Sequence, residues 1–530
     1  YPAGGWAPEG GRTMDFRVHT DVITDLNPKD FPKIGFTTAG QLALERGGKI
    51  ASLENPVRKL TFEQQAHLKA AYYWLKRYQP EVDDSPLAQV RGYIDGCFHL
   101  AEMGAMQEAE ELLFVYPPVD QVAKTASPLH QQLGEWGYHQ EQVDLYERFI
   151  DTALPQRQGL YLNGVGQAYR YLGQFDAALA RHQRAQQMAQ ERGDRLAEAQ
   201  AWGGLGRVQW YMGYMKESRD SHQRQLTLAG GYFPVKPRWP GFWLGQPLTP
   251  IFSTEQQIEQ CRAYTGIGVA YSTTDKSRAL KPLEMALAMA ITLENEQLRS
   301  EILKGLADTY TFMGDLATGM DYAQQYSDLA IRCRNLYHQH TAMHTQACIQ
   351  ICWRQYGEAI ALGEKALDMA KPLGHRVAQA RTSNTLGIAY CYGLKQYDQA
   401  MMYFKRSGQL SEVMGDLFTG CLVQAHLANC YIFLGEMDMA ADYCERARSA
   451  AAKVEHPIPK AVVLAALANV HWSQGEVLPC LWLLLRSFVI LPPWKSANGR
   501  LIWQKAIEVI GGGVGKALIT MTRKSKYFRK

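Results

Sequence analysis

The segment Leu162–Tyr169, Leu-Asn-Gly-Val-Gly-Gln-Ala-Tyr, returns in altered form about every forty residues down most of this chain. At Gly166 the frame reads Gly-Gln-Ala-Tyr-Arg-Tyr-Leu-Gly, with Ala178 five residues past the closing glycine. At Gly206 it reads Gly-Arg-Val-Gln-Trp-Tyr-Met-Gly, with Ser218 in the Ala178 place. The same frame fits Gly268, Ala307, Ala347, Gly387, Ala428 and Ala468, so the steps are 40, 62, 39, 40, 40, 41 and 40 residues. A fixed period of this length belongs to helix pairs stacked into a solenoid. A solenoid offers a long surface and seldom an enzyme pocket, so the repeat favours binding over chemistry.

Each unit has a physical logic. A small residue (Gly166, Gly206, Ala307, Ala347, Ala428, Ala468) lets a second helix approach closely, and an aromatic three positions on (Tyr169, Tyr271, Tyr310, Tyr390, Tyr431) packs across the pair. Gly173, Gly213, Gly314, Gly435 and Gly475 stand where the first helix must stop, and a left-handed C-terminal residue suits glycine. The second helix then carries its own small residue at Ala178, Ala359 and Ala440. This pattern resembles the tetratricopeptide repeat, in the variety of about 40 residues seen in kinesin light chains, related signalling adaptors and many cyanobacterial repeat proteins. The resemblance covers eight repeats from residue 158 to about 490, with weaker copies near Gly96 and His130. It implies an all-α, right-handed superhelical solenoid.

Length and composition agree. A single compact core is not expected at 530 residues, whereas a solenoid grows without that limit. Hydrophobic content of 46% with 11% aromatics suffices for continuous helix packing and excludes wholesale disorder. The ten cysteines form no CxxC pair and several occupy small-residue packing positions, which reads as reduced, buried thiols and a cytoplasmic location. No uninterrupted apolar run reaches membrane-spanning length. The chain opens on Tyr1 rather than Met, which points to a removed upstream segment or to added residues before Met14; no signal peptide is visible.

Four regions follow. Residues 1–60, with Gly4, Gly5, Pro8, Gly10, Gly11, Pro28 and Pro32, read as an extended arm that is either free or laid along a partner or the solenoid. Residues 61–157 turn helical behind a Thr61 cap, with divergent repeat-like pairs. Residues 158–491 form the repeat array, interrupted at 232–257 by an insertion with five prolines and six aromatics. Its prolines forbid a helix, and its aromatics are costly to leave in water. Two readings stay open: the insertion folds back on the solenoid, or Tyr232, Phe233, Trp239, Phe242 and Trp243 dock a partner. Residues 492–530 supply a capping helix and a basic tail, where Lys516, Arg523, Lys524, Lys526, Arg529 and Lys530 give +6 with no acid. The whole chain is only +4, so the remainder carries −2. The tail is either a solvated terminus or a contact with anionic lipid or an acidic partner, at the cytoplasmic face of a membrane. Nucleic acid is not expected, since aromatic interleaving is limited to Tyr527 and Phe528.

Catalytic signatures are missing from the sequence. Gly511–Lys516 resembles a phosphate loop, but Ile510 stands where its first glycine belongs and Ala517 replaces the Mg²⁺-binding hydroxyl. His344, Cys348 and Cys352 share a helical face, yet their spacing matches no standard zinc cluster. No cofactor, metal or small-molecule substrate is expected.

What remains is the concave groove. Counting the small residue as position 8, the resemblance implies that positions 2, 5, 9 and 12 point inward. These include Asn163, Gln167, Arg170, Arg207, Trp210, Lys304, Asp308, Arg381, Asn384, Asn429, Asn469 and Trp472. Asn and Gln can pair with both peptide N–H and C=O, and the cations favour acidic partner residues. The family's two-carboxylate clamp of alternating Lys and Asn is not reproduced. The expected function is a non-catalytic scaffold or assembly factor that holds a partner protein segment in the groove. Attachment to a membrane-bound, photosynthetic multi-subunit complex is the expectation for the tail. The alternatives are a soluble signalling adaptor, or the sensor region of a regulator or enzyme whose effector domain lies elsewhere.

Overall fold

The computed structural model describes residues 61–81, 84–116, 127–231, 252–273, 275–492, 496 and 499–504. The arm before Thr61, the insertion up to residue 251 and the basic tail therefore lie outside the described residues. All regular elements among those described are helical.

The chain divides into two compact units, Tyr1–Ala168 and Tyr169–Lys530. The first contains α1 (Phe62–Tyr72), α2 (Pro86–Glu102), α3 (Met106–Leu112), α4 (Leu129–Trp136) and α5 (His139–Phe149). Thr61 opens α1 in a capping box: its hydroxyl accepts from the Gln64 N–H, and the Gln64 side chain accepts from the Thr61 N–H. Left-handed Gly104 (φ 88°) and Gly137 (φ 92°) mark turns in the weaker repeat copies. Leu112, Leu129, Leu133 and Phe149 are fully buried, and Tyr161 donates 2.7 Å to Glu110. The boundary read at 157/158 falls early in α6 (Pro155–Leu172), and the two units part later in that helix.

The second unit continues through α7 (Phe175–Arg192), α8 (Arg195–Met212), α9 (Met215–Leu228), α10 (Thr254–Tyr271) and α11 (Lys276–Thr292). Next come α12 (Glu296–Met313), α13 (Leu316–Arg332), α14 (Leu336–Cys352), α15 (Tyr356–Ala370) and α16 (Arg376–Ile388). It ends with α17 (Tyr397–Met414), α18 (Leu417–Leu434), α19 (Met437–Ala452), α20 (Pro457–Ser473) and α21 (Val477–Ile490). Each even-numbered helix from α8 packs antiparallel on its odd-numbered successor.

Local chemistry sets these boundaries. Asp194, Asn295, Asn335 and Asp416 cap α8, α12, α14 and α18, each side chain accepting a backbone N–H three residues on. The turn glycines Gly173, Gly213, Gly314, Gly435 and Gly475 all take positive φ, between 78° and 88°. Two repeats make the same left-handed turn without glycine, at Arg354 (φ 64°) and Lys395 (φ 57°). Lys395 arrives one residue late because Ala389–Leu394 winds as a π turn. That turn absorbs the extra residue in the 41-residue step.

Packing repeats with the sequence. Tyr310 stacks on Tyr322 (5.6 Å between ring centroids), Tyr390 on Tyr403 (5.5 Å) and Tyr431 on Tyr443 (5.3 Å). A Cβ at Gly268 would stand 2.8 Å from the Ala279 carbonyl oxygen, so only glycine permits that helix crossing.

The second unit also closes on itself. Tyr171 meets Tyr337 edge-on at 4.3 Å, Gly213 abuts Val454, and the Lys216 N–H donates 3.1 Å to Glu455. The short helical segment at 499–504 lies across the repeats: Arg500 donates 3.1 Å to the Gly314 carbonyl and Arg354 donates 2.8 Å to Gln504. Among the described helices, α18 alone is long and apolar enough to cross a membrane, and 61% of it is buried against its neighbours.

Candidate binding cavity

Closure turns the concave side of the second unit into a cavity of about 270 Å³. Its walls come from α8, α12, α14, α16, α18 and α20, the first helix of each pair from the second repeat onward, α10 excepted. Period explains the convergence. Thr341, Arg381, Leu422 and Val462 hold position 2 of successive repeats, and Lys304, His344, Asn384 and Ala465 hold position 5. Asp308, Cys348, Ile388, Asn429 and Asn469 hold position 9.

Of the residues picked from the sequence, Trp210, Lys304, Asp308, Arg381, Asn384, Asn429 and Asn469 line this one cavity. Arg170 is buried beside it, 3.9 Å over the ring of Tyr171 and 5.5 Å from that of Tyr211. Arg207 is half-buried on α8, and Asn163 and Gln167 belong to the first unit. Trp472 instead packs with Trp503 against a cluster of Ala465, Cys480 and Leu484. The loop residues Tyr232, Phe233, Trp239, Phe242 and Trp243, and the six tail cations, lie outside the described residues.

An amide ladder crosses the cavity wall. Asn469 donates 2.9 Å to the Asn429 side-chain oxygen, and Asn429 donates 2.9 Å to the Tyr392 hydroxyl. The two asparagines are repeat equivalents, 40 residues apart. Nearby, Lys304 donates 2.6 Å to Asp308. Burial disfavours the Lys304 charge, but Asp308 and Tyr211 together outweigh it and raise its pKa.

The remaining charge is held by rings. Arg381 stands over Tyr211 (4.7 Å), Trp210 (5.3 Å) and Phe418 (6.0 Å), so Tyr211 lies between the guanidinium groups of Arg381 and Arg170. Such contacts are each worth about 0.5–2 kcal/mol, rising with desolvation. Burial pushes the Tyr211 phenol up, yet Arg170, Arg381 and Lys304 outweigh it and hold its pKa below the ordinary value. The neighbouring histidines are neutral: burial, with Arg381 adding repulsion, lowers His344 to about 4 and His456 to about 3.

His344 approaches Thr385 at 3.1 Å and Cys348 at 3.6 Å, and burial pushes the Cys348 thiol up to about 12. A thiol so raised is a poor nucleophile. Among the described residues no group of three or more His, Cys, Asp or Glu is arranged to hold a metal ion. All ten cysteines are free, and most are buried.

Sequence reasoning passed over Tyr211, Tyr337, Thr341, Phe418 and His456; it weighed His344 only as a metal ligand, and read the segment whose Leu501 and Ile502 complete the wall only as a cap. The register alone marks Thr341 and His344, at positions 2 and 5, as inward. Tyr211 and Tyr337 fall outside the inward positions and reach the cavity through the closure.

Capped helix pairs in one register, folded into a closed array, define an all-α solenoid of repeat pairs. The helix pairs of this array have the architecture of tetratricopeptide repeats. A tetratricopeptide-repeat family profile matches residues 157–229. No curated protein sequence matches the chain. Among solved structures it is similar to a Rap protein complexed with Competence and Sporulation Factor, at 16% identity and TM-score 0.50, covering 70% of this chain and 96% of that one. It is also similar to the apo quorum sensor NprR of B. thuringiensis (14% identity, TM-score 0.39, 69% and 99% covered). A signal-transduction ATPase with a tetratricopeptide-repeat sensor from Pyrococcus horikoshii matches at 12% identity and TM-score 0.39, covering 82% of this chain and 63% of that one.

Proposed function

We propose that this protein is a non-catalytic binding module whose central cavity receives a segment of another polypeptide. One observation carries the reading: polar side chains at the inward positions of successive repeats converge, with a buried amide ladder, on one concave cavity. Amides flanked by aromatic rings suit a peptide backbone, which offers a donor and an acceptor at every residue. The factor named in the Rap complex gives independent support for a ligand held in this fold. The reading has room for both a scaffold and the sensor region of a larger regulator. Membrane attachment through the basic tail, and with it a cytoplasmic-face location, is carried forward as part of the proposal.

The direct test is calorimetric titration of the full chain with pools of random peptides about five residues long, which span about 17 Å when extended. Saturable binding is expected, and it should be lost when Asn429 and Asn469 are both changed to Ala while helical circular dichroism is kept. Absence of binding by every pool, with the protein shown to be folded, contradicts the reading.

A further inference from the structure

The last helix of the array, α21, departs from the pattern its own register sets. In α19, one 40-residue step earlier, the outward positions are Asp438, Asp442, Glu445 and Ser449, all exposed. The equivalent positions of α21 are Leu478, Trp482, Leu485 and Val489, which are 80%, 56%, 62% and 71% exposed. Their spacing of four, three and four residues sets them in a single stripe along the helix. Cys480, Leu484 and Ser487 form the opposite, buried face, where the Ser487 hydroxyl donates 2.8 Å to the Ala461 carbonyl. A further stacked repeat does not account for the stripe, because α20 does stack on α19 and the four positions of α19 still face water. The end of a solenoid ordinarily presents a polar outer face, and this one is apolar.

We infer that the outer face of α21 is a docking surface for an anionic lipid bilayer, lying in the headgroup layer with Leu478, Trp482, Leu485 and Val489 turned toward the acyl chains. This rests on the membrane-contact reading of the basic tail and supplies its apolar half. Length decides between lying on a bilayer and crossing it. The helix has 14 residues, about 21 Å at 1.5 Å per residue, against a hydrocarbon core of about 30 Å. Its inner face is also held against α20, so α21 meets a bilayer edge-on to the solenoid and does not leave it. Charge selects the partner. Arg486 is the one formal charge within Val477–Ile490, and its guanidinium stands 4.6 Å over the Trp482 ring. Tryptophan and arginine suit the bilayer boundary, the ring among headgroups and the cation at phosphate level. The six tail cations follow in the same C-terminal stretch with no acid among them. A second copy meeting this one stripe to stripe would set Arg486 against Arg486 and tail against tail, whereas anionic headgroups answer both. A basic cluster or one short apolar element alone binds a bilayer marginally, and stable attachment takes two such signals. The tail and the α21 stripe are that pair.

The experiment is co-sedimentation of the full chain with sucrose-loaded vesicles, made of phosphatidylcholine alone or with about 30% phosphatidylserine. The wild type should bind the anionic vesicles about ten-fold or more tightly than the neutral ones. Changing Leu478, Leu485 and Val489 together to Gln should weaken binding to the anionic vesicles about ten-fold or more, with helical circular dichroism and Tm retained because all three side chains are exposed. The same change at Ile331 and Val413, exposed apolar residues of α13 and α17, should leave binding within about two-fold. Undiminished binding by the triple variant, with binding lost on deleting residues 516–530, overturns the α21 assignment and leaves the tail contact standing. No binding of the wild type to anionic vesicles overturns both. A wild type that sediments as a dimer, beside a monomeric triple variant that binds vesicles equally well, overturns the lipid assignment in favour of a second copy. If the triple variant is unfolded, Leu478→Gln alone decides the question, with a loss of about three-fold expected.

Discussion

At the scale of single residues, the interior is an unusual mixture of neutral histidines and retained arginines. His456 caps α20, its ring accepting from the Ile458 N–H at 3.2 Å, and burial holds its pKa at about 3. His182 is held at about 3, and His222, His338 and His344 at about 4, chiefly by burial. For such bases the unfolded chain takes up its protons first, near pH 6.5, while the folded chain stays neutral until about pH 3–4. Stability contributed by these groups is therefore full above about pH 6.5 and is lost progressively as pH falls towards 4. For His456 alone the loss at pH 4.5 should be about 2–3 kcal/mol. His456→Asn keeps a capping side chain and removes the titration, so its Tm should fall less steeply between pH 7 and 4.5 than that of the wild type. Parallel Tm–pH curves would show that His456 does not titrate as described. Much of this was hidden from sequence, because a histidine at an inward position reads the same whether it faces water or a closed cavity. Lys304, Asp308, Arg381, Asn384, Asn429 and Asn469 were legible because polar residues in an inward register have no packing role to explain them. Tyr211 and Tyr337 were not, since buried aromatic residues usually mark ordinary core.

At the scale of helices, turn chemistry was the most legible layer. A left-handed residue ends the first helix in most repeats, and in five of them glycine supplies it seven positions after the small residue. At Arg354 and Lys395 a side chain takes the left-handed place, and the chain bears some strain. Lys395→Gly should raise stability by about 0.5–1 kcal/mol in denaturant unfolding, because glycine tolerates φ 57° without a Cβ penalty. Gly268→Ala should do the opposite, costing about 2–4 kcal/mol, since its Cβ meets a backbone oxygen that cannot rotate away. Equal effects from the two changes would deny that the Gly268 crossing is the closer constraint. The 41-residue step announces an extra residue but not where it goes. Its absorption by a π turn rather than a longer loop depends on keeping Cys391 and Tyr397 packed with Phe404 and Val423, which no single-repeat reading contains.

At the scale of the molecule, closure is the property that sequence could not supply. Superhelical curvature is the sum of small rotations between successive pairs, set by many side-chain volumes at once. Once the array has turned far enough, Tyr171 and Tyr211 reach Tyr337, and a long groove becomes a deep cavity. The basic end is a separate device, tested separately. Deleting residues 516–530 should release the protein from the membrane fraction of its host, with a larger release at higher ionic strength for the wild type. Unchanged partitioning would remove membrane contact from the account. The central claim, that the first helices of the pairs form one interior binding surface, is tested most directly by hydrogen exchange with and without a saturating peptide pool. Protection is predicted within α12, α14, α16, α18 and α20, with α13, α15 and α17 unchanged. Protection confined to those outer helices, or none while the peptide is demonstrably bound, would contradict it.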